Sequence, residues 1–350
     1  MRASAPPSVP SRPLPDVAPS APGKERSSTP PAPSSLVARL TQLRRTLRPT
    51  PHVRLPVAGM NLFAKLEYVN PVGSIKDRPA FWILKRAADR GEICEATTIV
   101  ESSSGNFASA LAAFTRLVGI RFIPVIDPNI SATYESFLRR LCPIVVKVED
   151  RDDTGGYLKT RLEMVRLLCD TVQNAYWTNQ YGNPDAVEAH YELTAGDICA
   201  EFESLDYVFI GVSTGGTIAG VSRRLKEHFP NVRIIAVDTQ GSVIFGDAPR
   251  KRHIPGVGSS IVPPLLSQAN IDDVVLIPER ETVAACKELL FTHGLFAGGS
   301  SGTAYAAVKR YASRMSGGTS KEPTVLFLCA DRGTAYLDSV FDPIWVTKLE

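Results

Sequence analysis

Few features of the chain point quickly to a class. Its six cysteines (Cys94, Cys142, Cys169, Cys199, Cys286, Cys329) are scattered through 350 residues with no C-x-x-C pair. Neither a zinc site nor a disulfide framework is therefore indicated. Five dispersed histidines offer no metal cluster. No apolar run approaches the roughly 18 residues of a membrane helix. Neither sign of charge dominates: 39 Lys and Arg against 36 Asp and Glu give a formal net charge of +3, too balanced to suggest nucleic acid. There is no G-x-G-x-x-G and no G-K-[ST], so neither a dinucleotide fingerprint nor a P-loop is present. These absences suggest a reducing, cytoplasmic protein with neither a membrane nor a nucleic-acid partner.

Residues 1–35 are dominated by Pro, Ser and Ala with almost no aromatics, and read as a disordered tail. They contain no hydrophobic core of a secretory signal. At about 150 residues per domain, the length suggests two domains with a sizeable core. Beyond Pro51, short β-branched runs alternate with amphipathic helices. Strands are expected at residues 97–100, 121–126, 144–148, 207–212, 232–237, 274–277 and 324–329. Helices are expected at 36–47, 80–88, 105–117, 132–141, 156–169, 217–228, 282–292 and 301–315. Such alternation predicts an α/β fold with parallel-rich sheets flanked by helices, and ligands at the carboxyl ends of the strands.

One stretch stands out, Tyr68 to Pro79. Asn70-Pro71-Val72-Gly73 has turn chemistry, and Ser74 is a good N-cap for the helix that follows. Lys76 would then lie in the first helical turn, where the helix dipole disfavours a cation. Locally it reads either as an exposed side chain or as an amine with a lowered pKa, suited to condensing with a carbonyl. Four loops bear on that choice. Glu101-Ser102-Ser103-Ser104-Gly105-Asn106 offers hydroxyls and backbone amides at a helix start, which suits a carboxylate or an ordinary cap. Gly211 to Gly220, with Ser213, Thr214, Gly215, Gly216 and Thr217, suits a monophosphate or a helix–strand turn without ligand. Gly298-Gly299-Ser300 would let the serine hydroxyl lie against a planar ring, or simply cap and pack a helix. Asn179-Gln180-Tyr181 could orient a polar substrate or close the loop. Together these are the parts a pyridoxal phosphate site needs.

The motifs N-P-x-G-S-x-K-D-R (70–78), S-S-G-N (103–106), S-T-G-G-T (213–217) and G-G-S-S-G (298–302) resemble, in order and spacing, those of the fold-type II pyridoxal phosphate family. That family includes cysteine synthase and cystathionine β-synthase, and the resemblance runs from about Thr50 to Lys348. It implies a two-domain, tryptophan synthase β-like fold. A small mobile domain of residues 65–180 would close over a large one of residues 36–64 and 181–350, in a homodimer. It implies pyridoxal 5′-phosphate held covalently by Lys76, with Asn106 on its ring hydroxyl, Ser213 to Thr217 on its phosphate and Ser300 facing its ring nitrogen. Ser103, Ser104, Gly105 and Gln180 would bind a substrate α-carboxylate. Segments 237–247, 255–260 and 330–338 resemble a branch of the family serving siderophore assembly. That branch joins O-phospho-L-serine to L-glutamate by β-replacement, toward L-2,3-diaminopropionate. Ser213, where cysteine synthases usually carry glycine, is shared with it. The incoming dicarboxylate needs a cation, and Arg161 is the choice, with Tyr181 and Ser213 as polar partners. A sulfhydrylase using O-acetyl- or O-phospho-L-serine, a non-catalytic relative and a nicotinamide dehydrogenase are the competing readings.

Overall fold

The computed structural model describes residues 35–153, 155–315 and 322–349. The proline-rich tail expected at residues 1–35 lies outside them except for Ser35. Helix α1 (Leu36–Leu43) begins there because the Ser35 hydroxyl accepts from the Ala38 amide at 3.3 Å, and Leu36, Leu40 and Leu43 share one buried face. Among the described residues ten strands follow: β1 (His52–Leu55), β2 (Asn61–Leu66), β3 (Thr98–Ser102), β4 (Arg121–Ile126), β5 (Val146–Lys147), β6 (Ala175–Trp177), β7 (Tyr207–Gly211), β8 (Arg233–Thr239), β9 (Asp273–Ile277) and β10 (Thr324–Cys329).

They sort into two sheets, ordered β1-β2-β10-β7-β8-β9 and β5-β4-β3-β6. Every pairing is parallel except β1 with β2, so the expected parallel-rich α/β class is the one adopted. Strands β7, β8 and β10 read as near-continuous apolar runs because helices cover both faces of the sheet. The pleat divides β8 cleanly: Ile235 and Val237 pack toward one helical layer, Ile234 and Ala236 toward the other.

The covering helices are α2 (Asp77–Asp89), α3 (Asn106–Val118), α4 (Ala132–Leu141), α5 (Leu158–Thr171), α6 (Asp185–Ala189), α7 (Gly196–Glu201), α8 (Gly216–His228), α9 (Glu279–Phe291), α10 (Gly299–Met315) and α11 (Pro343–Val346). A π-helical turn, His190–Ala195, joins α6 to α7. Sequence periodicity revealed neither this segment nor β1 and β6, which are too short or too interrupted to show a period. Helix α1 packs against α2 and α3, with Leu36, Leu40 and Leu43 in one core with Leu84 and Leu111. The described residues pack as one compact unit. The segments leaving the carboxyl ends of β2, β3, β6 and β7 carry Lys76, Ser103 to Asn106, Gln180 and Ser213 to Thr217, whereas Ser300 opens α10 and Arg161 lies on α5.

Candidate active site

The turn before Lys76 forms as its residues suggest: the Gly73 amide donates to the Asn70 carbonyl at 2.9 Å, and Gly73 adopts φ +103°. The expected N-cap at Ser74 is not observed. Helix α2 starts at Asp77, with Lys76 at the N-cap position. The chain is first drawn alongside the end of β10: Ser74 bridges to Asp331, and the Ile75 amide donates to the Ala330 carbonyl at 2.7 Å. The Ser74 hydroxyl instead accepts from the Lys76 amide at 3.1 Å. Asp77, whose carboxylate accepts from the Val72 amide at 2.6 Å, closes the turn behind the lysine. Lys76 is half-buried, its side chain lining a cleft rather than standing free on the surface. Burial lowers its pKa to about 8 against the opposing field of Asp331, so a substantial share of the amine is neutral near physiological pH.

Lys76 lies on a cleft of about 600 Å³, shared with Asn106, Ser213, Thr214, Gly215, Thr217 and Ser300. Gly216 lines a smaller adjoining pocket with Lys76, Gln180 and His190. The β7–α8 loop is built by glycine: Gly215 has φ +84°, and a Cβ there would lie 2.8 Å from the Leu266 amide nitrogen. Its Ser213 hydroxyl donates to the Gly258 carbonyl at 3.2 Å. Ser300, buried in the first turn of α10, faces Gly256, where a Cβ would come within 3.3 Å of the serine Cβ. Gly298 and Gly299 do something other than open a face beside Ser300. They admit Asp331 and Ile254, whose side-chain atoms would lie 2.1 and 2.2 Å from added Cβ atoms.

Asn106 is held at both ends. The Tyr134 hydroxyl donates to its Oδ1 at 2.5 Å, and its Nδ2 donates to Asp331 Oδ2 at 2.7 Å. The Tyr336 hydroxyl donates to the same Asp331 oxygen at 2.8 Å. The other oxygen, Oδ1, is buried without a partner. Burial raises the Asp331 carboxyl, with Asn106, Tyr336 and Lys76 opposing. Asp331 stood within the recognised 330–338 segment without a role, and nothing local singled out Tyr134 or His190.

The remaining expected residues gather beside the cleft. Ser103, Ser104, Gly105, Arg161 and Tyr181 line neither it nor the smaller adjoining pocket, and Gln180 lines only the latter. The Ser103 hydroxyl accepts from the Ala108 amide at 3.2 Å. Arg161 on α5 reaches the loop after β3, donating to the Ser104 hydroxyl at 2.9 Å and pairing with Asp127 at 3.2 Å. Its Nε is buried without a partner. Asp127 had no sequence signal. The Gln180 side chain donates to the Ser102 carbonyl at 3.1 Å, and its amide to Glu101 at 3.2 Å. Burial raises the Tyr181 phenol, with Arg161 opposing.

A cleft-lining lysine, a glycine-built anion loop and a buried serine around one cleft match a particular enzyme family in sequence as well. Residues 43–330 fit the pattern of the pyridoxal-phosphate dependent enzymes. The chain belongs to that family. Its cofactor is pyridoxal 5′-phosphate. The chain is 43% identical over 289 residues to N-(2-amino-2-carboxyethyl)-L-glutamate synthase of Ralstonia nicotianae, covering 82% of this chain and 84% of that one. It is 42% identical over 295 residues to the protein of the same name from Cupriavidus metallidurans, covering 83% and 86%. Among solved structures, O-acetylserine dependent cystathionine β-synthase from Helicobacter pylori superposes with a TM-score of 0.78 at 28% identity, over 85% of this chain and 97% of that one.

The residues present fit the cofactor of this family. Lys76 offers the amine, the amides and hydroxyls from Ser213 to Thr217 face the same cleft, and the missing Cβ at Gly256 leaves Ser300 uncovered. Among the described residues no group of three or more His, Cys, Asp and Glu is arranged to hold a metal, and no helix is long and apolar enough to cross a membrane.

Proposed function

We propose that this enzyme catalyses β-replacement on O-phospho-L-serine with L-glutamate, giving N-(2-amino-2-carboxyethyl)-L-glutamate and phosphate. The product would feed L-2,3-diaminopropionate formation for a siderophore. The observation that carries the acceptor's identity is Arg161: a guanidinium beside the Ser103–Asn106 loop whose Nε is buried without a partner. A buried donor of that kind is costly unless an acceptor completes it, and a carboxylate of a dicarboxylic acceptor offers oxygens that take up its hydrogen bond.

When bound, the cofactor supplies the electron sink that makes the substrate's Cα proton acidic. Lys76, with its lowered pKa, removes that proton as general base and later returns it. Ser103, Ser104, Gly105 and Gln180 hold the substrate α-carboxylate. The Cβ–O bond to phosphate breaks, and the glutamate nitrogen forms the new Cβ–N bond and loses its proton. Arg161, Tyr181 and Ser213 orient the acceptor. Asn106 and Ser213 to Thr217 would hold the cofactor's ring oxygen and phosphate, and Ser300 would offer a neutral hydroxyl to its ring nitrogen. We assign residues 65–180 to a small domain that closes on substrate over residues 36–64 and 181–350. The working form would be a cytoplasmic homodimer.

The test is product mass. Phosphoserine supplied with both glutamate and sulfide should yield the glutamate adduct and free phosphate. Cysteine as the main product would instead make this a sulfhydrylase. Arg161→Ala should raise the glutamate KM with little change in the cofactor spectrum, and an unchanged KM would remove Arg161 from the acceptor site.

A further inference from the structure

We propose that His190 is a positioning residue that sets the direction of the Thr217 hydroxyl, so that Thr217 donates its proton to the cofactor phosphate. The proposal rests on the cofactor site and is independent of either substrate. His190 is buried, and both ring nitrogens are engaged: Nδ1 lies 2.9 Å from the Thr194 hydroxyl and Nε2 3.1 Å from the Thr217 hydroxyl. A neutral imidazole has one donor and one acceptor nitrogen, so the two contacts cannot be alike. If Nε2 accepts, Thr217 spends its only proton on the ring and turns lone pairs toward the cleft. If Nε2–H donates, the Thr194 hydroxyl donates to Nδ1 and the Thr217 proton is left for the cleft it lines. A phosphate at neutral pH chiefly accepts hydrogen bonds, so only the second arrangement serves it.

Two features of the fold hold the ring at this spot. His190 opens the π-helical turn between α6 and α7, a local break in helical pairing of the kind that recurs at functional sites. That turn is pressed against α8 because residue 220 is glycine: a Cβ there would lie 2.2 Å from the Val187 carbonyl oxygen and 2.8 Å from His190 Cβ. Burial first, then the charge of Lys76, lowers the imidazole pKa to about 3, with Glu67 raising it and Arg78 lowering it more weakly. The ring therefore stays neutral and remains a one-donor, one-acceptor relay.

The experiment uses the full-length holoenzyme with ¹⁵N-labelled histidine, the His190 resonances being assigned by their loss in His190→Gln. The expected result is a neutral ring protonated at Nε2 from about pH 5 to about pH 9. A ring protonated at Nδ1, or an imidazolium, would overturn the proposal without any functional variant. In parallel, the cofactor-free chain is titrated with pyridoxal phosphate and with pyridoxal, which lacks the phosphate. His190→Leu should weaken pyridoxal phosphate about tenfold or more, from one lost charge-assisted hydrogen bond, and leave pyridoxal unchanged. His190→Gln, whose amide can reach the Nε2 position, should stay within about threefold of the parent. Equal loss of both ligands in His190→Leu, or no loss of either, counts against the relay. If that variant does not fold, the ring protonation in the parent decides.

Discussion

Arg78, two residues beyond Lys76, lies in a buried network of four charges whose disruption has a calculable cost. Its Nε and Nη2 grip both oxygens of Glu67 at 2.6 and 2.9 Å, and Nη2 also meets Asp197 at 2.5 Å and the Thr50 hydroxyl at 3.2 Å. Lys65, fully buried in β2, lies 3.2 Å from Asp197 and 3.5 Å from Glu67. Two cations and two carboxylates thus cancel, tying β2 and the turn after it to α2 and α7. Although burial pushes the Glu67 carboxyl upward, Arg78 and Lys65 outweigh it and hold it at about 2, so it remains ionised. Arg78→Met keeps most of the volume and leaves the buried Glu67 and partly buried Asp197 carboxylates with Lys65 as the one remaining cation of the four charges. Breaking a buried pair from one side costs about 3–5 kcal/mol, and the upper part of that range applies because two carboxylates lose a partner. Against a total stability of about 5–15 kcal/mol, the variant should fold with a greatly reduced margin. Urea unfolding followed by circular dichroism measures the loss. Removing the Glu67 charge as well returns the group to neutrality, so Arg78→Met with Glu67→Gln should be more stable than Arg78→Met alone. A loss below about 1 kcal/mol for Arg78→Met, or a double variant weaker than the single, would refute the reasoning.

Three further outcomes follow from the titrating groups. Burial raises Glu101 to about 7 from 4.5, with hydrogen bonds from Thr178, Gln180, Ser102 and Trp177 opposing, so the folded protein holds a proton there that the unfolded chain has released. Its contribution to stability is present below 4.5 and lost as pH rises through about 7, so between about pH 5 and pH 8 the parent should lose about 3 kcal/mol relative to Glu101→Gln in urea unfolding. Uptake of pyridoxal phosphate by the cofactor-free chain should quicken as pH rises through about 8, where Lys76 loses its proton, and Lys76→Ala should show neither the imine absorption band nor turnover. Asp331→Asn removes the carboxylate whose field opposes the lowering of the Lys76 pKa, so the midpoint of that uptake profile, followed by stopped-flow absorbance, should move to lower pH. A midpoint that stays in place would show that Asp331 does not act on the amine.

Much of the fold class was legible because parallel strands buried on both faces must be apolar, and their crossover helices must be amphipathic. Strands β4 and β10 and helix α4 fall at the residues their patterns suggest. The ligand loops were legible for a related reason: glycine and hydroxyl residues ahead of a helix have few physical uses, and four such loops in one chain narrow them further. Local spacing could not place α2, because Ser74 is drawn into a bridge with Asp331 more than 250 residues away. Nor could it reveal what orients the site. Asn106 and Asp331 are 225 residues apart, Thr217 and His190 are 27 apart across two helices, and Arg161 meets Ser104 from a different helix. The sequence by itself determined which loops carry the chemistry and that one lysine lies beside a tight turn. Only the tertiary structure decided that this lysine lines a cleft, what charge faces it and which side chains hold its neighbours. Those properties depend on burial and on contacts between distant segments, which no local pattern encodes.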